Sequence, residues 1–120
     1  MIKVLVVEDN PLNMELVLEI LETHGFAADK AEDGEKAIEK MENENYDLIL
    51  MDIELPGKDG VEVTKIIKEK YKKTPVIALT SYAMKGDKER FLAAGFDEYM
   101  SKPIDISEFM KRLKKYCGEK

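Results

Sequence analysis

Short apolar runs alternate with amphipathic stretches five times along this chain of 120 residues. Leu48-Ile49-Leu50-Met51, inside a run Asp47–Asp52, is apolar without alternation, the pattern of a strand buried on both faces. Lys3–Val7 and Pro75–Thr80 also read as strands, while Phe26–Ala31 and Asp97–Met100 are weaker, the last being short and half polar. Between these runs apolar residues recur at helical spacing. Met14, Val17, Leu18 and Leu21 mark a first helix; Ala37, Ile38 and Met41 a second; Val63, Ile66 and Ile67 the inward face of a third. A fourth helical segment covers Met84–Ala94, and Ile106, Phe109, Met110 and Leu113 mark the fifth. The punctuation agrees with this division. Asn10-Pro11 sets a capping residue before a proline at the first helical position. Asp33 caps the second helix, and Gly25 and Gly95 end the first and fourth. Asp59-Gly60-Val61-Glu62 and Asp105-Ile106-Ser107-Glu108 have the spacing of capping boxes.

Five strands alternating with five helices predict an α/β protein, a parallel sheet with helices on both faces, because parallel neighbours require crossover connections. The length suits one domain over 1–120, large enough to bury a core, and no linker or low-complexity stretch divides it. Composition adds exclusions. Nineteen basic against twenty-five acidic residues give a net charge of −6, which argues against a general nucleic-acid-binding surface. No apolar run approaches membrane-spanning length and the chain enters a strand at once instead of a signal peptide, so a cytoplasmic protein is expected. One histidine and one cysteine cannot build a zinc site. Cys117 continues the apolar stripe of Phe109, Met110 and Leu113 and reads as packing, and His24 sits beside Gly25 at a helix end, where a cation suits the dipole.

The informative polar residues fall at the strand ends. Ligands of open α/β sheets bind at the carboxyl ends of the strands. Glu8-Asp9 follow the first strand, Asp52 ends the third, Thr80-Ser81 end the fourth, and Lys102-Pro103 follow the fifth. Three acids, a hydroxyl and a lysine from distant segments therefore converge on one edge. Carboxylates so close repel one another, and burial raises their pKa values unless a cation compensates. Oxygen-only ligands select a hard ion, and a small site with open positions suits Mg2+. A metal held by carboxylates beside a lysine and a threonine is an arrangement for handling a phosphoryl group. Singly, each residue has a plainer reading: an acid as a helix cap, Thr80 as a β-branched strand end, Tyr99 as a half-buried strand aromatic. The combination of Asp9, Asp52 and Lys102 is what singles out this edge.

Together, Glu8-Asp9, Asp52 followed by Pro56-Gly57 and Gly60, Thr80-Ser81 and Lys102-Pro103 resemble the receiver domain of two-component response regulators, over essentially the whole chain. The resemblance implies an α/β, flavodoxin-like (βα)5 fold, a doubly wound parallel sheet in strand order 2-1-3-4-5. It implies that Asp52 is the phosphoacceptor, taking phosphate from a phosphohistidine of a sensor histidine kinase or a histidine phosphotransfer protein. Asp9 and Asp52 would ligate Mg2+ directly, Glu8 through water, and Glu54 through its backbone carbonyl. Lys102 would pair with one phosphoryl oxygen, and the Thr80 hydroxyl with another. Tyr99 occupies the aromatic switch position, expected to turn inward as Thr80 moves toward the phosphate. The Lys102-Pro103 bond looks like the family's cis peptide. Glu54 and Tyr82 flank the phosphoryl site and would set how fast water reaches it.

On this resemblance the fourth helix, fifth strand and fifth helix form the output face. They would be offered to a downstream protein target or used in a phosphorelay, with no direct contact to nucleic acid. An alternative keeps the domain but takes it from a hybrid kinase or longer regulator; Met1 just before the first strand and the polar end of the chain count against it. A Mg2+ phosphatase with an aspartyl nucleophile would want a second Asp two residues on, where this chain has Glu54. Flavin binding fits the fold, but Glu8-Asp9 would repel a phosphate in the first turn.

Overall fold

The computed structural model describes residues 2–55, 60–80, 87–102 and 104–117, with Asp87, Lys88 and Cys117 described by backbone alone. Pro56-Gly57, Asp59, Ser81, Tyr82, the Met84 start of the fourth helix, the Lys102-Pro103 peptide and the packing of Cys117 lie outside the described residues. The elements run β1 (Lys3–Val7), α1 (Pro11–Thr23), β2 (Ala27–Ala31), α2 (Gly34–Asn43), β3 (Leu48–Asp52), α3 (Gly60–Lys70), β4 (Val76–Thr80), α4 (Asp87–Ala94), β5 (Glu98–Ser101) and α5 (Ile106–Cys117). All pair in parallel in the order β2-β1-β3-β4-β5, the flavodoxin-like order the resemblance implies.

The sheet separates two apolar layers. Leu5, Val7, Ile49, Met51, Val76 and Ala78 point toward α2, α3 and α4, where they meet Ala37, Met41, Val63, Ile67 and Phe91. Their neighbours in sequence, Val4, Val6, Leu48, Leu50, Ile77 and Leu79, point the other way onto Met14, Val17 and Leu21 of α1 and Phe109 and Leu113 of α5. Alternate residues entering different cores explain why the central strands carry polar residues only at their ends. Both weaker strands, β2 and β5, are the sheet edges, with partly exposed positions that tolerate polar residues.

Side chains finish the strands and helices where the pattern expects. Asn10 Oδ1 accepts the N–H groups of Leu12 and Asn13, both at 3.0 Å, and Asp33 Oδ1 accepts that of Lys36 at 2.9 Å. Asp105 accepts the N–H of Glu108 at 3.2 Å, while the Glu108 carboxylate pairs with Arg112 at 2.8 Å. Strands β2, β3, β4 and β5 each begin one residue later than the pattern places them, and β5 ends one later, at Ser101. Asp47 Oδ2 takes the N–H of Lys3 at 2.8 Å, and Asp97 Oδ2 takes that of Val76, also at 2.8 Å. Asp97 is also held by Lys68 Nζ (2.9 Å), by its own N–H on the Val76 carbonyl (2.9 Å) and by the Tyr116 hydroxyl on its carbonyl (2.8 Å). This single residue joins α3, β4 and α5 at the foot of β5.

One core position is corrected. Ile66 was expected inward, but it is 37 % exposed, and the buried stripe of α3 is Gly60, Val63, Thr64 and Ile67. Those positions follow the i, i+3, i+4, i+7 rhythm, from which Ile66 is rotated away. Thr64 takes the inward place, fully buried, and its hydroxyl has no hydrogen-bond partner among the described residues. A buried unpaired hydroxyl destabilises a fold by about 1 kcal/mol or more. Thr64→Val is therefore expected to raise stability by about 1 kcal/mol. In urea melts this appears as a higher midpoint with an unchanged slope; a lower midpoint would show that the hydroxyl is satisfied.

Candidate active site at the carboxyl edge

The alternation runs to the ends of β3 and β4 and one residue past those of β1 and β5. Glu8 extends the row Val4, Val6, and its N–H donates to the Ala31 carbonyl at 3.0 Å. Asp52 extends Leu48, Leu50, and Lys102 extends Met100, with the Lys102 N–H on the Thr80 carbonyl at 2.9 Å. All three thus leave the sheet on the α1 and α5 side. Thr80 follows Val76 and Ala78 on the opposite side, where Tyr99, the register partner of Ala78, also packs.

Lys102 Nζ lies 3.1 Å from Glu8 Oε1 and 3.1 Å from Asp52 Oδ2, and both acid side chains are 2 % exposed. The remaining oxygens are tied to the backbone: Glu8 Oε2 accepts the N–H of Asn10 at 3.1 Å, and Asp52 Oδ1 accepts that of Glu54 at 3.0 Å. Asp9 stands outermost and exposed, yet one oxygen from each of Glu8, Asp9 and Asp52 lies within 4.8 Å of the others. Burial pushes the Glu8 carboxyl above its usual 4.5; the Asn10 N–H opposes this and the negative charge of Asp52 adds to it. Burial pulls Lys102 down, but its hydrogen bond to Asp52 and the charges of Asp52 and Glu8 outweigh that and hold it above 10.5. Lys102 is therefore a permanent ammonium.

The donor set suits a hard divalent cation. It consists of oxygens alone, three carboxylates against one ammonium, and Glu8 Oε1 is buried without an aligned hydrogen bond. The structure brings Glu8, Asp9, Asp52 and Lys102 together as the sequence pattern anticipates. Thr80 is buried at the end of β4 with its backbone bonded to Lys102. Tyr99 is half-buried, its ring 5.9 Å from that of Phe91. Glu54 is exposed, and Tyr82 lies outside the described residues. Asn13, Leu16 and Ile104 were not anticipated; beside Glu8 and Lys102 they line a cleft of about 30 Å³. Their signal was weak, since Asn13 and Leu16 differ from solvated helix positions only by their place in the first turns above the strand ends. Leu12 and Leu16, 77 % and 48 % exposed, give this end of α1 an apolar surface.

The sequence profile of the response regulator receiver domain matches residues 4–114. The polar-differentiation response regulator DivK of Brucella ovis is 43% identical over 118 residues, covering 97% of this chain and 96% of that one. Among solved structures, the response regulator TrrA of Thermotoga maritima in complex with Mg2+ and BeF superposes with a TM-score of 0.88, at 39% identity over 97% of this chain and 99% of that one. The receiver domain of a sensor histidine kinase from Pseudomonas aeruginosa, with a magnesium ion coordinated in its active-site cleft, gives 0.89 at 36% identity, covering 98% of each chain.

The buried Glu8 carboxyl ties stability to pH. Glu8 binds its proton more tightly folded than unfolded, so in metal-free buffer stability rises as pH falls from its raised folded value toward 4.5. Glu8→Gln should flatten that part of the urea-midpoint profile; parallel profiles for the two proteins would show an unperturbed carboxyl. Mg2+ at a hundred times its dissociation constant should stabilise the wild type by about 2.7 kcal/mol. Asp9→Asn and Asp52→Asn should gain much less, and equal gains in all three would mean that these acids share no cation.

Proposed function

The chain belongs to the response regulator receiver domain family, and from that premise we propose that Asp52 is the residue whose phosphorylation switches it. The observation that carries this assignment is the Lys102 ammonium held 3.1 Å from the Asp52 carboxylate, with the Asp9 and Glu8 oxygens alongside. In the proposed step the Asp52 carboxylate attacks the phosphorus of a phosphohistidine. An O–P bond forms as the N–P bond breaks, and the imidazole nitrogen keeps the electron pair and takes a proton from water. Asp9 and Asp52 would hold Mg2+ with the Glu54 carbonyl, and Glu8 would act through water; the ion would supply charge neutralisation for the phosphoryl oxygens. Lys102 gives up part of its pairing with Asp52 to a phosphoryl oxygen, and the Thr80 hydroxyl donates to another.

The donor is a sensor histidine kinase or a histidine phosphotransfer protein. The apolar Leu12 and Leu16, beside the cleft, suit the approach of a donor surface over α1. Output passes through α4, β5 and α5 to a downstream protein target. Glu98 ties two of these elements, meeting Tyr116 at 3.2 Å, Lys115 at 3.6 Å and Arg112 at 3.9 Å. The module transfers phosphate to itself and loses it to water, with Glu54 and Tyr82 governing water access, so it works as a signalling protein and not as a turnover enzyme. A cytoplasmic site suits it, and among the described residues no helix is long and apolar enough to cross a membrane. Its identity to DivK favours a response regulator over a receiver taken from a hybrid kinase.

Acetyl phosphate with Mg2+ should add one phosphoryl group to the wild type and none to Asp52→Asn. Intact mass spectrometry reads this directly, which matters because the chain has no tryptophan to report by fluorescence. The same mass gain in the variant would overturn the assignment. Thr80→Ala and Lys102→Ala should keep some phosphate acceptance but fail to complete the switch, since each removes a contact made only in the phosphorylated state. Amide shifts at Tyr99 and α4 on adding beryllofluoride should be smaller in both; wild-type shifts would place the switch elsewhere.

A further inference from the structure

Helix α3 starts against the backbone of β3 and not against side chains. Gly60 is buried, and its N–H donates to the Ile53 carbonyl at 3.1 Å. A β-carbon added at Gly60 would overlap the Asp52 carbonyl oxygen and lie 2.9 Å from Ile53 Cα and 3.0 Å from the Asp52 carbonyl carbon. Glycine is not needed here for its torsion angle, because the positive-φ residues among those described are Gly25 and Gly95. Contact alone selects it. Ile53, meanwhile, is held from both sides: its N–H donates to the Leu79 carbonyl at 3.0 Å, and its carbonyl receives Gly60. Asp52 Oδ1 then accepts the Glu54 N–H at 3.0 Å, closing the turn over the same residue.

We infer that Gly60 is a positioning residue of the cation site: its bare Cα lets the first turn of α3 seat on the Asp52-Ile53 backbone and fix the turn that presents the Asp52 carboxylate and the Glu54 carbonyl. The inference rests on the phosphoacceptor reading above. It predicts that the site loosens when a side chain is placed at Gly60, although that residue touches no ion.

Gly34 supplies the control. It is also buried, and a β-carbon there would overlap a methyl group of Val63, so its cost falls on the packing of α2 against α3. Mg2+ titrations of the full chain, followed by calorimetry and by the Glu54 amide shift, would compare the wild type with Gly60→Ala and Gly34→Ala. Gly60→Ala should bind Mg2+ about tenfold more weakly, the lower range for changes to residues that orient metal ligands. Its Glu54 amide should be displaced before any metal is added. Gly34→Ala should melt at lower urea yet keep wild-type affinity. Wild-type affinity in Gly60→Ala, or equal weakening in both variants, would overturn the inference. Should Gly60→Ala not fold, hydrogen exchange in the wild type decides: Mg2+ must slow the Gly60 amide together with that of Glu54, and an unchanged Gly60 rate overturns the inference. A wild type that binds no Mg2+ overturns the phosphoacceptor reading, and this one with it.

Discussion

Lys102 stands 3.1 Å from each of two acids that are almost wholly removed from solvent, and the carboxyl edge of the sheet is organised around that shared ammonium. Two unit charges about 4 Å apart interact by about 4 kcal/mol at an effective dielectric of about 20. Lys102 offsets part of the repulsion between Glu8 and Asp52, and the cluster including Asp9 still sets three carboxylates against one ammonium. That excess suits the edge to a divalent cation. The same lysine is committed to Asp52 beforehand, so under the proposed phosphotransfer a phosphate would meet a counter-charge already in position.

The backbone distributes what happens at this cluster. The Lys102 N–H is bonded to the Thr80 carbonyl and Ile53 to both Leu79 and Gly60, so the three loops behind the strands share peptide hydrogen bonds. Strand alternation then sorts the work by face. The acids and the lysine emerge toward α1 and α5, whereas Thr80 and Tyr99 belong to the layer under α3 and α4. In the proposed switch the Thr80 hydroxyl would reach from one layer toward an edge occupied by the other, and so couple a charge change at Asp52 to a different core.

Much of this was legible in the residues because period and punctuation agreed. The doubly buried strands announced themselves through unbroken apolar runs, and the acids and lysine stood out as charges attached to those runs. What stayed hidden depended on rotation or on tertiary contact. Ile66 looked inward beside Ile67, but a helix has room for only one stripe, and the polar Thr64 took the place instead. Asp47 and Asp97, the expected first residues of β3 and β5, stand just before their strands, their carboxylates accepting the N–H groups of Lys3 and Val76. Asn13 and Ile104 gain significance only once α1 and the segment after β5 are folded over Lys102. The need for glycine at Gly60 is a property of the space above Asp52, not of its own conformation.

The foot of β5 is fastened to three neighbours through Asp97, whose carboxylate binds the Val76 N–H and Lys68 and whose carbonyl receives Tyr116. Its other end carries Tyr99, Ser101 and Lys102 and finishes at the site. An edge strand held at its foot and also at its tip, where the Lys102 N–H holds the Thr80 carbonyl at 2.9 Å, is a beam on two supports. Such a beam cannot slide along its neighbour. Under the proposed phosphotransfer, load applied at Lys102 would pass to β4 through that peptide hydrogen bond and along β5 toward Asp97.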